Sequence, residues 1–128
     1  MKTRISIALA MLAGFAIGAA TIEGLHAQTK APVYTIVEVD VTNAEAYAKE
    51  YAPKAQALVK KHGARLLAAS SKVTSLEGAP PKRIAVLQWE SMEKVNAWYK
   101  SAEFKDNRKI GNKYAKFRIF AVEGVPQP

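Results

Sequence analysis

Cysteine is absent from the 128-residue chain. That excludes disulfides, thiol catalysis and any thiolate metal site. Histidine is nearly absent too, with only His26 and His62. Neither has a second histidine at helical spacing, and no ladder of carboxylates stands ready to complete a metal site, so no metal and no cofactor are expected. There is no glycine-rich phosphate loop, no nucleophile elbow and no His-Glu-x-x-His pattern. Acidic residues are scarce: 11 Asp and Glu stand against 19 Lys and Arg, a net charge of +8. Such an excess bears on charged partners rather than on fold. Nucleic acid is the usual partner of a basic chain. Here the basic residues are scattered, without the aromatic–basic stripe that stacks bases, and the chain begins with an export segment. A negatively charged envelope surface or an acidic small molecule suits it better.

The export segment has three parts. Met1 to Arg4 is a positive head, Ile5 to Ile22 runs without a charge, and Leu25-His26-Ala27 offers a small residue, Ala27, just before a cut. That is the order of a secretory signal peptide. The expected division is residues 1–27 as signal and 28–128 as the domain, with a periplasmic location and no membrane span after cleavage. The alternative is a retained anchor, since the uncharged run nears the lower limit for a span. Export follows from either.

The rest alternates between two periodicities. Val33 to Val41 has period two, with Thr35, Val37, Val39 and Val41 on one face and Tyr34, Ile36, Glu38 and Asp40 on the other. Thr42 and Glu45 form a capping box for a helix reaching about His62. Its apolar stripe holds Tyr47, Tyr51, Ala55, Leu58 and His62, with Gln56 and Lys60 on the other side. Pro53 should kink it near the carbonyl of Lys49. Gly63 supplies its left-handed end. Ala64 to Ser71 is a second strand, which Lys72 to Leu76 extends or leaves. Lys82 to Trp89 is a third. Ser91 caps a helix carrying Val95, Trp98 and Tyr99, and Ser101 caps further turns with Phe104 and Arg108. Tyr114 to Val122 is the last strand.

Strand-helix-strand-strand-helix-strand is the α+β ferredoxin-like βαββαβ arrangement. Every strand has apolar residues on both faces, and two helices cover only one face. The simplest cover for the other is a second subunit. The expectation is therefore a homodimer through one sheet face, its two sheets packed into a dimeric α/β barrel.

Several segments taken together resemble one family. They are Lys61-His62-Gly63-Ala64-Arg65-Leu66-Leu67-Ala68, Leu76-Glu77-Gly78, Arg83, Ala97-Trp98-Tyr99-Lys100-Ser101-Ala102-Glu103-Phe104, and Phe120 to Gly124. In this order, from Val33 to Gly124, they resemble the DUF1330 family. The resemblance implies membership of the dimeric α/β-barrel group, whose members include monooxygenases, dismutating and decarboxylating enzymes and haem-handling proteins. The family's own function is unassigned, and fold membership fixes no chemistry. This chain departs from the family pattern at His62, where a tyrosine is usual, at Ala69-Ser70-Ser71, where the family has an arginine and two glycines, and at Phe104, where it has a tyrosine.

Few residues are suited to chemistry. His62 is the one side chain of the expected domain whose unperturbed pKa lies near neutrality. It is a candidate base or ligand, against a plain role at a helix end. Glu38 and Asp40 share a strand face and could act as acid and base if buried. Arg65, Arg83 and Arg108 suit bidentate recognition of a carboxylate or phosphate. If they meet Tyr47, Tyr51 and Trp98 at one cleft mouth, they form a pocket for a small anionic or aromatic ligand. The weak catalytic candidates are thus His62, Arg83 and Glu38, and the binding candidates are Arg65, Arg83, Trp98, Tyr47, Tyr51 and Arg108. Three functions stay open: a ligand-binding exported dimer, a cofactor-independent monooxygenase or isomerase, and a purely structural dimer.

Overall fold

Alternating apolar residues in β1 (Val33–Val41) place Val33, Thr35 and Val39 in the interior, and the rest of the domain is laid on them. The structure is a computed structural model that describes residues 31–128. The expected signal segment lies outside the described residues. Residues Pro32–Gly124 form one unit. After β1 comes a long helix, α1 (residues 44–61), then β2 (Arg65–Ser70), β3 (Arg83–Trp89), α2 (Met92–Tyr99), α3 (Ala102–Gly111) and β4 (Ala115–Glu123). The strands form one antiparallel sheet in the order β2-β3-β1-β4. This is the ferredoxin-like topology read from the alternation of periods.

The expected barrel does not form. The four-stranded sheet is open, with β2 and β4 as its two edges and both central strands between them. Closure would need the sheet to curl until its edges pair, and β2 and β4 instead stand at opposite ends of the strand order. What remains is an open sheet with helices on one face. The other face carries Tyr34, Ile36, Ile84, Val86, Phe120 and Val122, in register across β3, β1 and β4. Phe120 is 46% exposed and Val122 50%.

The covered face holds the core. Val33, Leu58, Leu87, Trp89, Val95, Trp98 and Phe104 form one buried cluster. Trp89 is 1% exposed and Thr35, on the neighbouring strand, is 0% exposed. A buried indole N–H needs an acceptor, and Trp89 Nε1 donates to Thr35 Oγ1 at 2.9 Å. The Trp98 ring lies 5.0 Å from that of Trp89, and Phe104 meets Trp98 edge-on at 4.8 Å. These are the tilted and edge contacts that aromatic quadrupoles favour.

Helix ends follow the polar residues beside them. Ser91 and Ser101 cap α2 and α3, accepting from Lys94 N and Phe104 N. The start of α1 differs from the expected capping box. Asn43 is the cap, accepting from Ala46 N, while the Thr42 hydroxyl donates to the Tyr114 carbonyl and ties the end of β1 to the start of β4. A short Asn reaches the helix as well as Thr does, which frees Thr42 for the longer-range bond. At the other end Gly63 has φ +85°. The Gly63 and Ala64 amides donate to the Lys60 and Val59 carbonyls, which is the Schellman arrangement. Lys72 to Leu76 adds no strand; the segment leaves the sheet after Ser70.

Pro53 interrupts the hydrogen-bond ladder of α1 through its missing N–H. The turn before it widens over Tyr47–Tyr51, and Ala52 N donates five residues back, to the Tyr47 carbonyl. A π-turn of this kind absorbs one extra residue, and it relieves the clash of the proline ring with the preceding turn. Tyr51 turns inward there, 5.2 Å from Phe117 between ring centroids.

Gly111 is where α3 passes this tyrosine. A Cβ at Gly111 would lie 2.6 Å from Tyr51 Cδ2 and 3.1 Å from Phe117 Cζ. Alanine gains about 1 kcal/mol of helix propensity over glycine, but overpacking a core costs about 1–3 kcal/mol. Gly111→Ala is therefore expected to lower stability, by about 1 kcal/mol net. Urea unfolding followed by tryptophan fluorescence reads the midpoint shift.

Candidate functional site

A cleft on the helix side lies between α1 and the β2–β3 half of the sheet. Its volume is about 410 Å³. The floor is Val37, Ala85, Leu87 and Leu66, and the roof is Ala52, Ala55 and Val59 of α1. Small residues make the space: alanines stand at 52, 55, 64, 69 and 85 around it. Trp98 and Phe104 close the inner end. Leu66 is 51% exposed, so the cleft opens beside edge strand β2.

Polar groups in this cleft are few and carry one sign. Arg83 enters from the start of β3, Lys60 and Gln56 from α1, and Tyr47 from the π-turn. Among the described residues no acidic side chain lines the cleft, and neither Arg83 nor Lys60 forms an ion pair with any of them. Burial pushes the Tyr47 hydroxyl above the usual tyrosine value, and the neighbouring Tyr51 adds to this. The Arg83 guanidinium beside it pulls it partly back, as does Arg108 more weakly. Tyr47 is thus a protonated hydrogen-bond donor at neutral pH, set next to a cation.

The candidates read from the sequence do not share one mouth. Arg83, Tyr47 and Trp98 come together in this cleft. Tyr51 stands behind it, packed on Tyr47 and Phe117, with its carbonyl accepting from the buried Asn107 side chain. Arg108 lies across Trp98 in a second cleft. Arg65 is on the opposite face of the sheet, because it pairs with Gln88, the neighbour of buried Leu87 and Trp89. His62 ends α1, its backbone N–H bonded to the Leu58 carbonyl, and lines neither cleft.

Glu38 and Asp40 are also on the open face, and each meets a cation of its own chain. Glu38 Oε2 is 3.3 Å from Arg118 Nη1, and Asp40 Oδ1 is 3.0 Å from Lys82 Nζ. Among the described residues no three metal-ligating side chains converge.

Lys60 and Gln56 escape a reading of the helix from sequence. Counted with an ideal α period from Tyr47, they fall on the outer side. The extra residue in the π-turn rotates the remainder of the helix, so that positions 52, 55, 56, 59 and 60 line the cleft. Pro53 is the signal for that rotation.

One consequence is measurable in the free protein. Removing Arg83 takes away the larger of the two charges that hold the Tyr47 hydroxyl down. Arg83→Met is therefore expected to move Tyr47 titration further up, from a starting point already above an ordinary tyrosine. The Tyr47 Cζ chemical shift, followed through an alkaline titration, reads both values.

The comparisons with known proteins agree with this architecture. A protein of unknown function from Rhodopseudomonas palustris has a similar crystal structure, with a TM-score of 0.63 at 13% identity over 85% of this chain and 94% of that one. A dimeric protein of unknown function with a ferredoxin-like fold, from Bacteroides fragilis, gives 0.50 at 13% identity, covering 72% and 95%. A conserved protein of unknown function from Bacteroides thetaiotaomicron, described as a possible oxidoreductase, gives 0.48 at 19% identity, covering 73% and 98%. At 13% identity the likeness to the Rhodopseudomonas palustris and Bacteroides fragilis proteins is one of fold alone. No curated protein matches the sequence. The model of a domain of unknown function, DUF1330, matches residues 32–125, and the chain belongs to that family.

Proposed function

We propose that the domain is an exported binding protein for a small, largely apolar molecule that carries one anionic group, held in the cleft between α1 and the β2–β3 half of the sheet. The observation that carries this reading is the pairing of apolar walls with Arg83 and Lys60 and no acidic residue among those described. A cleft of a few hundred cubic ångströms with a few convergent polar groups is the usual form of a small-molecule site. Arg83 takes the anion, Tyr47 donates a second hydrogen bond, and Lys60 adds charge at the rim. The carboxylates and the imidazole that acid–base chemistry would use lie elsewhere, which favours recognition over turnover. The reading of residues 1–27 as a signal supports a periplasmic location for this binding. Among the described residues no helix is long and apolar enough to cross a membrane.

The open sheet face supports a second part of the proposal, a homodimer through that face. Phe120, Val122, Ile36 and Val86 present apolar surface there, and contiguous exposed apolar area commonly marks an interface. Phe120→Glu would set a charge in its middle. Light scattering after gel filtration is expected to give twice the chain mass for the protein and a single chain mass for the variant. A wild-type monomer contradicts the dimer and leaves the cleft reading standing.

Binding is tested with 8-anilinonaphthalene-1-sulfonate, an apolar aromatic sulfonate whose fluorescence reports burial. The expected result is saturable binding at one site per chain. Hydrogen bonds to a charged group are worth about 1.5–3 kcal/mol, so Arg83→Met should weaken binding at least about tenfold. Ala55→Phe, which fills the roof of the cleft, should abolish it. Equal binding by the protein and both variants assigns the dye to another surface and favours a structural dimer.

A further inference from the structure

A second cleft lies on the other side of Trp98, between α2 and the β1–β4 half of the sheet, with a volume of about 340 Å³. Its walls are Trp98, Tyr99, Ile119 and Phe117, with Asn96 at the rim and Arg108 reaching in from α3. The setting of Arg108 is unusual for a cation. Its Cζ is 3.8 Å from the centroid of the Phe117 ring and 4.8 Å from that of Phe104. One terminal amine is 3.4 Å from the Tyr51 hydroxyl, and Nε is buried without a partner. Among the described residues Arg108 forms no ion pair, and no acidic side chain lines the cleft.

A partly buried guanidinium normally has a carboxylate beside it, because desolvating an unpaired charge is expensive. Stacking on aromatic faces offsets some of that cost. It also fixes the guanidinium plane, so that its remaining donors are available only at the edge, in the geometry that matches a carboxylate. The cleft offers aromatic and aliphatic surface to the rest of such a ligand. We infer that this cleft is a second binding site, for a small planar aromatic carboxylate whose carboxyl group meets Arg108 and whose ring packs against Trp98 and Tyr99. This site is separate from the Arg83 cleft and does not depend on it.

Benzoate is the probe. In ¹H–¹⁵N spectra of the protein, the Arg108 Nε–H and Trp98 indole signals are expected to shift with benzoate and to saturate. Benzyl alcohol, which lacks the charge, should leave them in place. Arg108→Met should weaken benzoate at least tenfold, while Arg83→Met should change it less than twofold. Asn96→Phe, at an exposed position of α2, plugs the cleft with Arg108 intact and should also remove binding. It decides the matter if Arg108→Met does not fold. Shifts that never saturate, or saturable binding that survives Asn96→Phe, overturn the second site. Loss of benzoate on Arg83→Met but not on Arg108→Met would also overturn it, by assigning the probe to the first cleft.

Discussion

The bond from the Trp89 indole to the Thr35 hydroxyl fixes the centre of the molecule. Both partners are sealed from solvent, and neither has water as an alternative, so the bond is held by the cost of losing it. It joins the two central strands by their side chains as well as by their ladder. Trp89 then gives Trp98 a platform, and Trp98 gives Phe104 an edge. Through these contacts α2 and the start of α3 are set on the sheet. Among the described residues Trp98 is also the one side chain that lines both clefts. The packing that stabilises the domain and the wall between these two clefts therefore share one residue.

A second constraint is charge without neutralisation. Each of the four ion pairs among the described residues has at least one half-exposed member, and together they involve Lys49, Lys61, Lys82 and Arg118. Exposed pairs of this kind contribute little. Arg83 and Arg108, which lie deeper, take part in none of them. Two arginines on the helix side of one sheet line clefts that share the same tryptophan, both act on Tyr47, and neither has an ion-pair partner among the described residues. The π-turn at Tyr47–Tyr51 makes the arrangement possible. It brings Tyr47 toward Arg83 while Tyr51 reaches Arg108.

Much of this fold is legible in the sequence. The alternation in β1, the serine caps, Gly63 and the position of Pro53 are local signals with local causes, and they set the order of elements. Three features are not local. The barrel expectation starts from an apolar face in need of cover by a second sheet, whereas the four strands form an open sheet with two edges left free. The cap on α1 moves to Asn43 because Thr42 serves a partner 72 residues away. Arg65 reads in sequence like Arg83, as another arginine that opens a strand. Register decides its side, and the register of β2 shifts between Leu66 and Ala68. That leaves Leu66 on the cleft face and Arg65 on the open one. Of the six binding candidates, the three that share the first cleft are the ones placed by β3, α2 and the π-turn in α1.

The most direct test of the account is to ask what the protein carries. Native mass spectrometry of wild-type and Arg83→Met protein, each recovered from cells without denaturation, weighs the chain with whatever it holds. The expected result is an added mass on the wild type that is released as a small, apolar anion and is missing from the variant. A wild type that is bare, or a load that both proteins carry equally, would contradict the Arg83 cleft as the binding site.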